Sequence, residues 1–334
     1  MTGNFVFCFS YTSEQMLKKE NHNYYTFAFY NLENLFDTKD DPNTIDDDFT
    51  EHSERNWNKR RFRKKLKQMG SVISRIGSEE VGHPPALIGL AEVENRYVLE
   101  ELVDSKYLRH KNYGIAHIDS PDERGIDTAL LYRKDHVEIR NISAHTVHVV
   151  NEEGIRDYTR DILEVQVKID DHEVYVLVNH WPSRRKGVEE TAFRRMAASQ
   201  KASEIAEQIR AVDPRARIVV MGDFNDDPNS ESIKALVASE FYNPMEMLLT
   251  RYEGSVNYKG DWYLFDQVIV SHNFMQQHGN DFRFQKADIF NPAFLTDRNQ
   301  KRKGNPFRTF LGKLYTGGFS DHFPVYAIFS IDRG

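Results

Sequence analysis

The sequence predicts an α/β fold, and three observations carry that reading. The run Ile218-Val219-Val220-Met221 is β-branched and apolar, stops at Gly222 and is followed by turn residues, as a buried strand would be. A stretch over 190–211 sets Ala198, Ala202, Ile205 and Ile209 on one helical face. It joins the apolar run Val174–Val178 to the first run, giving a strand–helix–strand unit. A second continuous apolar run, Ala86-Leu87-Ile88-Gly89-Leu90, follows Pro84-Pro85 and reads as another buried strand. With 334 residues, 40% of them hydrophobic, the chain can build one large core or two ordinary ones.

Residues 1–22 read as a tail, and 23–334 as the folded domain. The tail holds a short apolar run, Phe5-Val6-Phe7-Cys8-Phe9, with no Lys or Arg before it. That run is too short to span a membrane and makes a poor signal peptide, so cytoplasmic residence and export with an atypical or truncated leader both stay open. The single cysteine, Cys8, excludes an internal disulfide and a Cys-based metal cluster. The net charge of −7 argues against tight holding of duplex DNA through a basic face. It leaves room for an enzyme that meets polyanions briefly. No transmembrane segment and no obligate protein partner is evident, and a monomer is expected.

Tyr24–Tyr30 reads as a strand ending at Asn31. The acidic run Asp46-Asp47-Asp48 reads as a solvated loop without the ligand spacing of a calcium loop. Between Asn58 and Gly77, Phe62, Leu66, Met69, Ile73 and Ile76 recur at helical spacing. Lys59, Arg60, Lys64, Lys65 and Lys67 are assigned to the opposite, solvated face. Glu92 stands at the carboxyl end of the strand that begins at Ala86. A helix is expected near 98–108, a turn at Arg124-Gly125-Ile126-Asp127, and strands near 128–132, 137–142, 162–169 and 174–178. The last of these ends in Asn179-His180-Trp181-Pro182, followed by the cations Arg184, Arg185 and Lys186, a loop suited to a phosphate. A short helix is placed near 236 and a strand over 262–271, with Asp266 among apolar neighbours. A buried Asp needs a partner, and a histidine is one candidate. Residues 297–308 are basic and flexible-looking. Gly317-Gly318-Phe319-Ser320-Asp321-His322 then leads into a final apolar strand ending at Ile331.

The central motif is Gly222-Asp223-Phe224-Asn225. Residues two apart on an extended backbone share a side, so Asp223 and Asn225 can face one small volume at a strand's carboxyl end, where ligands of α/β sheets collect. An Asp there serves as a general base or hard oxygen ligand, and an Asn orients a water or phosphate oxygen without adding charge. Taken singly, each such residue is also an ordinary turn former.

Tyr30-Asn31-Leu32-Glu33-Asn34, Gly89-Leu90-Ala91-Glu92-Val93-Glu94, Asn179-His180-Trp181-Pro182-Ser183, Gly222-Asp223-Phe224-Asn225, Phe265-Asp266-Gln267-Val268 and Ser320-Asp321-His322-Phe323-Pro324-Val325 occur in this order. Together they resemble the endonuclease/exonuclease/phosphatase family, over about residues 25–331. The resemblance implies a four-layer α/β sandwich of the DNase-I-like kind, with two mixed β-sheets packed face to face and helices outside. It also implies divalent-metal-dependent hydrolysis of phosphoesters, with Mg²⁺ and, as substitutes, Mn²⁺ or Ca²⁺.

Carried over by position, Glu92, Asn31 and Asp321 are metal ligands. Asp223 activates water, Asn225 holds a phosphate oxygen or that water, and His180 protonates or stabilises the leaving oxygen. His322 binds the phosphate and is oriented by Asp266. Arg124, Arg184 and Arg185 are expected to bind substrate, with 298–303 as a second basic flank.

The reading is a nuclease of low sequence specificity. Its alternatives are a phosphomonoesterase, a phospholipid or sphingomyelin-type phosphodiesterase and, less favoured, a non-catalytic binding module. Gln267 stands where DNA-repair relatives usually carry an aromatic residue. The chain also lacks the Trp-Cys-Asp-Arg type motif of inositol polyphosphate 5-phosphatases.

Overall fold

In the computed structural model, residues 22–150, 154, 156–185, 187–275 and 282–332 are described. Residues 1–21 of the expected 1–22 tail, including Cys8, and the cation Lys186 lie outside them, whereas His22 already belongs to the first strand. Twelve strands form two six-stranded sheets. The first sheet contains β1 (His22–Leu35), β2 (Leu87–Val93), β3 (Tyr113–His117), β4 (Asp127–Arg133), β11 (Phe282–Ile289) and β12 (Val325–Asp332). Its order is β11-β12-β1-β2-β4-β3. The second contains β5 (Val137–His145), β6 (Ile162–Ile169), β7 (His172–His180), β8 (Arg217–Asp223), β9 (Phe241–Tyr242) and β10 (Asp266–Ser271), in the order β9-β10-β8-β7-β6-β5.

Each sheet has a parallel pair at its centre, β1 with β2 and β7 with β8, flanked by antiparallel neighbours. A parallel pair needs a crossover. The first is made through α1 (Lys59–Ile73) and α2 (Ser78–Val81), the second through α4 (Val188–Val212). Two further helices, α3 (Arg96–Val103) and α5 (Glu231–Val237), lie after β2 and β8.

Alternation along the strands sorts side chains between layers. Val176, Val178, Val219 and Met221 join Phe27, Phe29 and Leu87 in the core between the sheets. Leu177, Ile218 and Val220 turn the other way, onto Ala198, Ala202 and Ile205 of α4. On the far side, Phe62, Leu66, Met69 and Ile73 of α1 are buried as the helical spacing requires. This is the expected four-layer α/β sandwich. At Gly222 the strands β7 and β8 come so close that an added Cβ would collide with the carbonyl oxygen of Asn179. No helix among the described residues is long and apolar enough to cross a membrane.

Several local expectations change. β1 runs on through Asn31 to Leu35 rather than ending at Tyr30, and its pairing with β2 shifts register between Asn31 and Leu35. The expected strand over 262–271 is broken. Asp261–Tyr263 pairs with Val256–Tyr258 and β10 starts only at Asp266, because Leu264 N–H donates to Asp227 and the Phe265 carbonyl accepts from Phe224 N–H. The helix expected over 98–108 stops at Val103. In the acidic run, Asp46 is buried and accepts from the Asp41 N–H, so only part of that run is a solvated loop. Lys65 is not on the solvated face of α1. It is buried, and its Nζ donates to Thr309 Oγ1 and the Phe319 carbonyl, each at 2.5 Å.

Candidate active site

The carboxyl ends of the two central parallel pairs meet, and the polar residues cluster there. Asn31 comes from β1, Glu92 from β2, His180 from β7 and Asp223 from β8. In the second sheet, His180 pairs in register with Asp223, and Asp223 with Asp266. Residues in register on neighbouring strands project to the same face. Three polar side chains therefore stand in one transverse row across β7, β8 and β10.

The row is closed from the first sheet. Asn31 Nδ2 donates to Asp223 Oδ2 at 3.0 Å, while Asp223 Oδ1 accepts from Asn225 N–H at 2.9 Å. His180 Nε2 and His322 Nε2 lie 3.7 and 3.9 Å from Asp223 Oδ2. Burial raises the Asp223 carboxyl to about 6, with the Asp266 charge adding to the rise and His322 opposing it. His322 Nδ1 sits 2.7 Å from Asp266 Oδ2. The carboxylate can only accept, so Nδ1 carries the proton. Burial opposes a charge on His322, but the Asp266 and Asp223 carboxylates outweigh it and hold the imidazolium well above the ordinary histidine range. His180 goes the other way. Burial, then the positive Arg160 and Arg124, push it well below that range, so it is neutral at pH 7.

Backbone conformation aims the remaining groups. Glu92 and Asn225 adopt the left-handed region, at φ +59° and +50°, and Glu33 and Asn34 do the same at +51° and +55°. Such conformations are uncommon without glycine and gather at functional sites. Glu92 falls where β2 shifts register against β4. Its Oε2 accepts from Asn34 N–H at 2.9 Å. Its Oε1 is left 3.9 Å from both His180 Nε2 and Arg124 Nη1, beyond hydrogen-bond reach. Asn225 Nδ2 donates to the Trp181 carbonyl at 2.9 Å. Asp321 is gripped by Arg308, and its Oδ1 lies 4.0 Å from His322 Nε2.

This oxygen set suits a hard divalent cation, which favours few carboxylates together with neutral oxygens. Glu92 offers a carboxylate oxygen with no hydrogen bond, and Asn31 Oδ1 has accepted only the Glu33 N–H. Asp223, Asp266 and His322 also bring ligand atoms within 4.8 Å of one another. There the His322–Asp266 and Asn31–Asp223 hydrogen bonds already occupy the inward atoms, so Glu92 is the better centre for a metal.

All eight polar candidates thus converge, and the three arginines divide. Arg124 donates to Asn34 Oδ1 at 2.7 Å beside Glu92. Arg184 is occupied by the Asn225 carbonyl at 2.6 Å and Asp226 at 2.7 Å, and packs over Phe265. Arg185 is exposed and lines a hollow beside the His180 loop. On the second basic flank, Arg302 pairs with Asp297, and Lys303 lines a separate hollow with Trp262 and Phe323.

Two contributors escaped the sequence reading. Glu33 accepts from Thr309 and Phe310 N–H at 2.5 and 3.0 Å, latching the 308–319 loop onto β1, and burial raises its carboxyl to about 7. Lys65 holds the same loop from α1, with burial lowering its amine to about 8. Both carried a usable signal: Glu33 is two residues from Asn31, and Lys65 falls between Phe62 and Met69 on the apolar face.

A model described as Endonuclease/Exonuclease/phosphatase family matches residues 26–331. A search of curated protein sequences returns no match. Among solved structures, a protein of that family from Bacteroides thetaiotaomicron is 17% identical, with a TM-score of 0.55, covering 93% of this chain and 99% of that one. Humanized Danio rerio TDP2 is 13% identical, with a TM-score of 0.54 and coverage of 92% and 99%. A mannosyl-6-phosphatase from Bacteroides thetaiotaomicron is 16% identical, with a TM-score of 0.54 and coverage of 91% and 99%. At these identities the likeness is one of fold.

Proposed function

The chain belongs to the endonuclease/exonuclease/phosphatase family of phosphoester hydrolases, and from that premise we propose that it is a divalent-metal-dependent phosphodiesterase acting on nucleic-acid strands with little sequence preference. The observation that carries this reading is the convergence of Asp223, His180, His322 and Asp266 with Asn31 and Glu92 at the ends of the two central parallel pairs.

Hydrolysis of a diester needs a base for water, a cation on the non-bridging oxygens and help for the leaving oxygen. Asp223, with a pKa of about 6, is poised as the base near neutral pH. It takes a proton from water as the new P–O bond forms. His322 faces the same volume as an imidazolium and meets the charge on the phosphate, while Asp266 fixes its ring. Asn225 has a side-chain oxygen free to hold the water or a phosphate oxygen. His180 is neutral, so it stabilises the departing oxygen by donating a hydrogen bond from Nε2 as the old P–O bond breaks. Glu92, Asn31 and Asp321 would hold Mg²⁺, or Mn²⁺ or Ca²⁺ in its place, which supplies Lewis-acid charge to the phosphate when bound. The acidic net charge suits brief contact with a strand rather than wrapping of it.

The test is product release from plasmid DNA, single-stranded DNA, RNA, bis(4-nitrophenyl) phosphate, a sugar monophosphate and a sphingomyelin analogue. Each is assayed with Mg²⁺ and with EDTA, for wild type and Asp223→Ala. Metal-dependent cleavage of polynucleotide that vanishes in the variant supports the proposal. Turnover of the monoester or lipid alone moves the substrate and keeps the chemistry, and full activity of Asp223→Ala overturns the assignment.

A further inference from the structure

Beside the His180 loop lies a hollow of about 200 Å³ that the chemistry above does not use. Its walls carry four guanidinium groups, from Arg124, Arg160, Arg185 and Arg194, against one carboxylate, Asp157. The four differ in what they already hold. Arg160 is buried and fully engaged, donating to Asp122 at 3.0 Å and to the carbonyls of His180 and Trp181 at 3.2 and 2.8 Å. It is the fixed floor, and it ties the hollow to the catalytic strand. Arg194 is paired with Asp157. Arg124 reaches from the hollow toward Glu92 and Asn34. Arg185 is exposed at the mouth and lies within ion-pair distance of no carboxylate among the described residues. Tyr158, half exposed, and Pro182 supply an apolar edge.

Four guanidinium groups around a small concavity, one of them, Arg185, without a carboxylate partner among the described residues, favour an anion with several acceptor oxygens. The positive potential also reaches His180, where Arg160 and Arg124 reinforce the effect of burial. We infer that this hollow is a subsite for a second phosphate of the substrate, on the flank of the scissile bond that His180 serves. The inference rests on the proposed phosphoesterase reading and adds a substrate class to it: compounds with a further phosphate beside the one attacked. Two sources offer that chemistry, the neighbouring phosphate of a strand and the second phosphate of a small molecule.

The experiment compares kcat/KM within matched pairs. One pair is a thymidine dinucleotide with and without an added terminal phosphate, at either end. The other is a hexose bisphosphate against its monophosphate. Preference for the extra phosphate by about tenfold or more, mainly through KM, is expected in wild type. Arg185→Glu should bring the ratio close to one. Preference in the dinucleotide pair points to a strand, and preference in the sugar pair to a small molecule. Equal rates within both pairs, or a preference that survives Arg185→Glu, overturns the subsite. Turnover of bis(4-nitrophenyl) phosphate reports separately on the catalytic reading. Should no phosphoester be turned over, calorimetric titration with pyrophosphate in EDTA tests the hollow alone: binding weakened about tenfold or more by Arg185→Glu keeps it, and absent or unchanged binding rejects it.

Discussion

Asp266 and His322, 56 positions apart in sequence, share a 2.7 Å hydrogen bond from the imidazole Nδ1 to the carboxylate. The bond fixes the ring so that Nε2 faces Asp223, and it keeps the ring charged. A folded pKa raised above the unfolded value means the pair's contribution to stability is full below about pH 6.5 and is lost as pH rises through the folded pKa. Replacing Asp266 by Asn removes the main cause of the rise. The alkaline limb of the kcat/KM profile should then move to lower pH, with kcat falling about 10²-fold or more. A pH–rate profile of Asp266→Asn checks this, and an unmoved limb would remove Asp266 from its positioning role.

Asp223 shows the cost of a buried carboxylate. Its pKa of about 6 lies above the ordinary 3.8, so its contribution to stability is greatest below pH 3.8 and declines as pH rises toward 6. Asp223→Asn abolishes that decline. In EDTA, the variant should gain on wild type between pH 4 and 6 and be the more stable protein at pH 7, with activity down about 10³-fold. Denaturant midpoints across that range decide; a variant that loses ground as pH rises contradicts the argument.

Chelation should silence the enzyme, and Mg²⁺ should restore it. Glu92→Gln keeps the shape but removes the charge, so the Mg²⁺ concentration for half-maximal rate should rise about tenfold or more. Metal titration of rate, with calorimetry beside it, tests this. An unchanged metal requirement would move the metal away from Glu92.

Glu33 latches two backbone N–H groups of the 308–319 loop, and Lys65 braces the same loop. Removing one partner leaves buried groups unpaired, so Glu33→Ala should cost about 3–5 kcal/mol. Because Arg308 on this loop grips Asp321, activity should fall as well. Urea unfolding of the variant measures the loss, and a cost under about 1 kcal/mol would mark the latch as solvated.

Gly222 lets β7 and β8 approach at the level of the row. Gly222→Ala should destabilise by about 1–3 kcal/mol through strand displacement and lower kcat more than it raises KM. Thermal unfolding with steady-state kinetics separates the two effects.

The chain's own pattern made the centre of the fold legible and the margins obscure. β2, β7, β8 and β12 are buried on both faces and show as apolar runs. The strands missed outright, β3, β9 and β11, all lie at edges, β3 and β11 in the first sheet and β9 in the second. An edge strand has fewer neighbours to satisfy and carries polar side chains, as in Phe282-Arg283-Phe284-Gln285-Lys286. The residues of the candidate site were legible because polar groups at the ends of apolar strands stand out. Arg308, Glu33 and Lys65 were not read as support, since their partners come from loops whose path no local pattern encodes. Gln267 holds Asn243, the Asp226 carbonyl and the Leu264 carbonyl, a structural task that only the folded loops reveal.

His180, Asp223 and Asp266 occupy one row of a sheet, and a sheet sets the distance between its strands by main-chain bonding alone. Insertions or deletions in the surrounding connections leave those spacings untouched. The ribbon of Val149–Val150 and Arg156–Asp157, which walls the arginine hollow, can therefore be exchanged for a shorter or longer one without moving that row. With the hollow as the proposed subsite, such exchanges in a lineage would change clientele while the proposed reaction is inherited intact. In the laboratory, the same ribbon is the place to graft a new substrate preference onto this chain.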